Sequence, residues 1–182
     1  MTREELARGL RDAAYLEGDF VLRSGRRSKY YLDKYLFETK PELLAPLARA
    51  IAAEVGQHEP AADRLAGPEL GAVALATAAS LETGLPFLIV RKAAKEYGTS
   101  KRLEGTYEEG ECVCLVEDVV TTGGAALEAV AALREAGLRV STAVCVLDRE
   151  EGGVDEFARH AVRLRPLFRA SELLEIPANR HG

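Results

Sequence analysis

Val113-Cys114-Leu115-Val116-Glu117-Asp118-Val119-Val120-Thr121-Thr122-Gly123-Gly124-Ala125 is an apolar strand that runs straight into two carboxylates, two threonines, two glycines and a helix. In open α/β sheets, ligands bind beyond the carboxyl ends of the strands. The helix that opens after the glycines offers N–H groups without intrahelical partners and a positive dipole potential. Gly123 and Gly124 let the backbone curl so that these amides converge, and Thr121 and Thr122 add hydroxyl donors. The pattern predicts a phosphate cradle. It lacks the GxxxxGK[ST] of a nucleoside-triphosphate loop and the GxGxxG of a dinucleotide fingerprint. Carboxylates repel a phosphate at contact distance, so Glu117 and Asp118 must face something else. Sugar hydroxyls are apt donors to them, and a phosphate with a diol one step back describes a ribose 5-phosphate. The plainer reading makes the pair a strand-end cap.

Working outward, Phe87–Val90, Cys112–Val116 and Val140–Leu147 are continuous apolar runs, and Arg64–Gly67 is a shorter one. Helical patterns lie between them, over 71–83 closed by Gly84 and over 124–136 ended by Gly137. Such alternation predicts an α/β fold with a parallel sheet and helices on both faces. Pro41 opens another helix to about Val55, and 162–167 is expected as an edge strand, where Pro166 is tolerated. Ahead of this, residues 2–17 place Leu6, Leu10, Ala13, Ala14 and Leu16 at helical spacing behind Thr2, with Glu5 completing a capping pattern. Phe20–Leu22 and Tyr30–Leu32 flank a polar turn and predict a hairpin. The expected organisation is a single domain over 1–182, with an N-terminal helix and hairpin hood (1–40), an α/β core (41–170) and a mobile lid loop (92–110).

The lid reading rests on length and charge. Residues 92–110 have no apolar period, and 91–102 hold five positive charges against one negative in a chain of net charge −5. The stretch reads either as a solvated loop or as an anion-grasping lid. The acidic balance argues against a nucleic-acid partner. No apolar run reaches the roughly 18 residues needed to span a bilayer. The first ten residues lack an export signal's apolar segment, so a cytoplasmic location without membrane attachment is expected. Cys112, Cys114 and Cys145 lie in strand-like runs and are expected as buried thiols. His58, His160 and His181 have no ligand-type neighbour, and no catalysis is expected of them.

Glu117–Ala125, EDVVTTGGA, resembles the 5-phosphoribosyl 1-diphosphate (PRPP) signature of type I phosphoribosyltransferases. Three further stretches are similar to orotate phosphoribosyltransferases in family order. Arg91–Gly98 matches a lid pattern RKxxKxxG, Leu22–Tyr31 an SGxxSxxY hairpin, and Leu147–Gly153 a DRxxGG turn.

The resemblance implies that Thr121, Thr122, Gly123, Gly124 and Ala125 hold the 5-phosphate, with Val119 and Val120 in the same PRPP loop and Glu117 and Asp118 on the ribose hydroxyls. It implies that Arg91, Lys92 and Lys95 contact the diphosphate, with Lys95 as the catalytic residue stabilising the leaving group and Tyr97 nearby. Orotate would be bound by Thr121 and Arg149. A guanidinium fork suits its carboxylate, while the plainer reading of Arg149 is an ion pair with Asp148 or Glu150. Mg²⁺ carried by PRPP, with no protein metal ligand, and a homodimer whose lids cover each other's sites are also implied. Three positions depart from the pattern: Arg23 stands where many relatives have Lys, Leu70 where some have a diphosphate-binding Lys, and Tyr97 where some have His. A purine or uracil phosphoribosyltransferase and a PRPP-sensing regulator are the alternatives.

Overall fold

The computed structural model describes residues 1–21, 25, 27–92 and 102–176. Helix α1, Arg3–Ala14, opens on the expected capping box: Thr2 Oγ1 accepts from the Glu5 amide at 3.1 Å, and the Thr2 amide donates to Glu5 Oε2 at 2.7 Å. It is shorter than expected because the chain from Tyr15 leaves to pair. Strands β1, Tyr15–Val21, and β2, Arg27–Leu32, form an antiparallel hairpin from Tyr15↔Leu32 to Val21↔Arg27. A short helix that the sequence pattern did not announce follows, α2 (Tyr35–Glu38), and then α3 (Pro41–His58) with Pro in its first turn.

The main sheet takes β3 (Arg64–Pro68), β4 (Phe87–Val90), β5 (Leu103–Glu104), β6 (Cys112–Val120), β7 (Arg139–Asp148) and β8 (Arg163–Arg169) in the spatial order β5-β4-β3-β6-β7-β8. All neighbours are parallel except β5, which runs antiparallel to β4. The connecting helices are α4 (Gly71–Thr83), α5 (Gly124–Glu135) and α6 (Gly153–Arg159), and α7 (Ala170–Glu175) closes the described chain. The expected parallel α/β sheet is present, and Pro166 lies in the outermost strand β8, where its missing N–H breaks no ladder. One expectation needs correction. The stretch 92–110 is not all loop, because Leu103–Glu104 pairs with Ile89–Val90 and Tyr107 packs on the core.

Alternating side chains of β6 and β7 feed two cores. Cys114, Val116, Val144 and Val146 pack with Leu6, Leu47, Ile51 and Leu75 of α1, α3 and α4. Val113, Leu115, Ala143 and Cys145 pack with Leu127, Val130, Leu133 and Phe157 of α5 and α6. Both faces are therefore covered, as a continuous apolar strand requires. The three cysteines are buried and free, and burial pushes the Cys114 thiol up to about 12.

Candidate active site

The crevice follows from strand order. From β3 the chain winds through α4 to β4 on one side, and from β6 through α5 to β7 on the other, so the sheet's switch point lies between β3 and β6. These strands pair only as far as Ala66↔Leu115. Beyond that, Gly67 and Pro68 stay with β4, while β6 continues along β7 to Val120↔Asp148. The edge of β6 facing β3 is thereby freed over residues 116–120. The acidic doublet was expected just after the strand; it lies within it, because pairing with β7 persists after pairing with β3 has stopped.

Past Val120 the chain curls into the cradle. Gly123 takes φ 89°, and a Cβ there would stand 2.9 Å from the Phe157 ring, so both conformation and space call for glycine. No side chain caps α5, and its first main-chain bond is Leu127 N–H to Gly123 O at 2.9 Å, which leaves the amides of Gly124, Ala125 and Ala126 aimed outward. Thr121, Thr122, Gly124 and Ala125 are exposed around this opening. Val119 and Val120 pack their side chains into the two cores, which leaves only their main chain for a ligand. A hollow of about 370 Å³ borders the cradle at Thr122 and Gly124, walled by Glu151, Asp155 and Glu156 against the single cation Arg159. That wall would repel a dianion, whereas the amides and hydroxyls of 121–125 present donors to it.

Glu117 and Asp118 are 8% and 2% exposed. The Asp118 amide donates to Glu117 Oε1 at 2.9 Å, and the Val119 amide donates to Asp118 Oδ1. These side chains satisfy main-chain groups on the edge that β3 abandons. Two residues that the sequence reading missed complete the cluster. Lys34 Nζ donates to Asp118 Oδ2 at 2.6 Å, and Glu38, 3% exposed, lies against Asp118 with its Oε1 unpartnered among the described residues. Burial and the Asp118 charge push the Glu38 carboxyl up to about 8 and raise Glu117 well above the usual carboxylate range. For Lys34, burial works downward, but the Asp118 hydrogen bond and the nearby carboxylates outweigh it and hold the ammonium above the ordinary lysine value. Gly71, first residue of α4, abuts the same carboxylate: a Cβ there would fall 1.7 Å from Asp118 Oδ2. The one signal in the sequence was Lys34 and Glu38 four apart ahead of Pro41; their approach to Asp118 is purely tertiary.

Arg149 follows β7 and stands beside the cradle, its amide donating to Val120 O at 2.8 Å. Its side chain is 11% exposed, and its guanidinium pairs with Glu151 at 3.5 Å, neither of the acids expected. Gly153 lets α6 close behind the loop, since a Cβ there would lie 2.5 Å from Val120 Cγ1 and 2.8 Å from Thr121 O. Arg91 and Lys92 leave β4, two strands from β6 or roughly 10 Å across the sheet. Glu69 ties them down, accepting from the Lys92 amide at 2.7 Å and lying 3.8 Å from the Arg91 guanidinium, which also faces Glu104 at 3.6 Å. Leu70, at the turn after β3, is exposed and follows a cis Glu69–Leu70 peptide. Lys95, Tyr97 and Arg23 lie outside the described residues. Among the described residues no group of three or more His, Cys, Asp or Glu could hold a metal, and no helix is long and apolar enough to cross a membrane.

Comparison with known proteins agrees with this geometry. A phosphoribosyl transferase domain model matches residues 37–165. The orotate phosphoribosyltransferase of Methanocella arvoryzae is 52% identical over 158 residues, 86% of this chain and 88% of its own. That of Halobacterium salinarum is 47% identical over 173 residues, 94% and 97% of the two chains. The crystal structure of Mycobacterium tuberculosis orotate phosphoribosyltransferase with Fe(III) dicitrate superposes with a TM-score of 0.83 at 31% identity, covering 94% of this chain and 98% of that one. The same enzyme in complex with PRPP gives 0.79 at 29% identity, covering 94% and 98%. A glycine turn with free amides beside a buried acidic pair, at the switch point of a parallel sheet, thus occurs in a chain that belongs to the orotate phosphoribosyltransferase family.

Proposed function

We propose that this chain transfers the phosphoribosyl group of PRPP to orotate, giving orotidine 5′-phosphate and diphosphate in pyrimidine nucleotide synthesis. The observation that carries the proposal is the freed edge of β6, which sets Glu117 and Asp118 one step before the uncapped start of α5. That spacing suits a ribose 5-phosphate. The high coverage of the orotate phosphoribosyltransferase relatives supports orotate as the base acceptor.

In this reading the amides of Gly124–Ala126 and the hydroxyls of Thr121 and Thr122 grip the 5-phosphate, while the acidic doublet takes the ribose hydroxyls. Arg149, one strand over from the cradle, turns from Glu151 to the orotate carboxylate, and Thr121 also meets the pyrimidine. Displacement at the anomeric carbon passes through an oxocarbenium-like state, so positive charge grows on the ring while the diphosphate gains negative charge. The carboxylates stabilise the first, and Arg91, Lys92 and Lys95 the second. Mg²⁺, when bound with the diphosphate, neutralises part of its charge. A homodimer in which each lid covers the partner's site, with Lys95 and Tyr97 on that lid, completes the proposal, and a cytoplasmic location fits a step in nucleotide synthesis.

The test is the loss of orotate absorbance on adding PRPP and Mg²⁺, with uracil, adenine and guanine as controls. Orotate is expected to be consumed and the controls spared. Conversion of a control base with orotate inert would overturn the base assignment. PRPP binding without turnover, together with salt-sensitive nucleic-acid binding, would point to a regulator instead.

A further inference from the structure

We propose that Lys34 is a positioning residue of the ribose site, orienting the Asp118 carboxylate and countering its charge through the 2.6 Å contact between its ammonium and Asp118 Oδ2. This rests on the reading of Asp118 as a ribose contact. Asp118 is nearly out of water and has a carboxyl group on either side, Glu117 next to it in the strand and Glu38 from α2. Crowding of this kind favours the neutral acid at Glu38 and Glu117. Among the described residues, Lys34 is the one cation within ion-pair distance of Asp118. The carboxylate is held at both oxygens: Oδ1 by the Val119 amide and Oδ2 by Lys34. Glycine at 71 leaves the space in which ammonium and carboxylate meet, since a Cβ there would stand 2.9 Å from Lys34 Nζ as well as on top of Asp118 Oδ2.

Lys34 itself is 34% exposed and lies between the buried acid and solvent. It reaches the core from the segment joining the hairpin to α3, so the N-terminal hood contributes to the site in chemistry as well as in cover. Without the ammonium, Oδ2 would lose the partner that fixes it, and the carboxylate would face the cationic ring less well placed. An interaction needed mainly as charge develops appears in kcat more than in KM.

The experiment compares Lys34→Gln, which keeps a donor but no charge, with Lys34→Arg, which keeps the charge, and with Asp118→Asn as control, each checked for a native melting temperature. Lys34→Gln is expected to lower kcat at least about tenfold while KM for PRPP moves less than about threefold. Lys34→Arg is expected to stay within about threefold of the parent kcat. A Lys34→Gln protein with parental kcat, or a Lys34→Arg protein as impaired as Lys34→Gln, would overturn the proposal. Should Lys34→Gln fail to fold, Lys34→Arg decides: parental turnover upholds the proposal and a tenfold loss ends it. If Asp118→Asn turns over normally, it is the ribose-site reading that fails; if it collapses while Lys34→Gln does not, only the role of Lys34 is lost.

Discussion

Glu38 is a carboxyl group buried against Asp118, and burial followed by the Asp118 charge lifts it from 4.5 to about 8. Between those two values the folded chain holds a proton that the unfolded chain has released. Stability from this group is therefore full below 4.5 and lost as pH rises through 8. Glu117, raised for the same reasons, adds to the fall in the same direction. Glu38→Gln keeps the shape and removes the titration. Its urea midpoint is expected to decline less than the parent's between pH 5 and pH 8, and parallel declines in the two proteins would contradict the burial of Glu38. The sequence offers no hint of this behaviour. A Glu four residues after a Lys reads as an exposed i,i+4 pair, and only the fold brings Asp118 against both.

At the scale of elements, the site depends on where strands stop pairing and on how closely α6 backs the cradle. The apolar runs of β4, β6 and β7 are legible because strands buried on both faces need continuous hydrophobicity, and the capping box and Pro41 mark the starts of α1 and α3. The cradle itself is legible because Gly123 must take a positive φ. What escapes is set by contacts distant in sequence. Strand β5 is two residues long and has no pattern of its own, so only β4 specifies it. Helix α2 is one turn and too short to show a period. The early parting of β3 from β6 has no local signature at all. Gly153 falls between these cases: its doublet with Gly152 is visible, but the reason for it is the closeness of Val120 and Thr121. Gly153→Ala must push the cradle forward or α6 back. The expected result is a melting temperature lower by about 2–8 °C, as about 1–2 kcal/mol implies for a chain of this size, with KM for PRPP raised more than kcat is lowered. An unchanged KM would show that the cradle does not lean on α6.

For the whole molecule, the positive charge expected to meet the diphosphate is carried on a segment that leaves β4, while the cradle proposed for the 5-phosphate lies two strands away after β6. The base of the segment is fixed, since the Arg91 amide donates to Arg102 O at 2.8 Å and Glu69 holds Lys92. Residues 92–102 therefore begin and end beside the edge strand β5, on the flank of the sheet away from β7. Ends rooted at a sheet's flank suit the lid sharing proposed above for the dimer. Mixing two inactive variants separates sharing from self-cover. Lys95→Ala loses the lid cation but keeps the cradle and its acids, and Asp118→Asn keeps the lid but damages the ribose site. If lids cross, a mixed dimer has one site built from two intact halves and one carrying both defects. Random exchange of equal amounts gives mixed dimers half of the time, so activity is expected to return to about a quarter of the parent's in a two-fold dimer. If each lid covers its own chain, no site in the mixture is intact and activity stays at the level of the variants. Subunit exchange is confirmed independently by mass spectrometry of isotope-labelled chains, so that silence in the assay counts against lid sharing rather than against mixing.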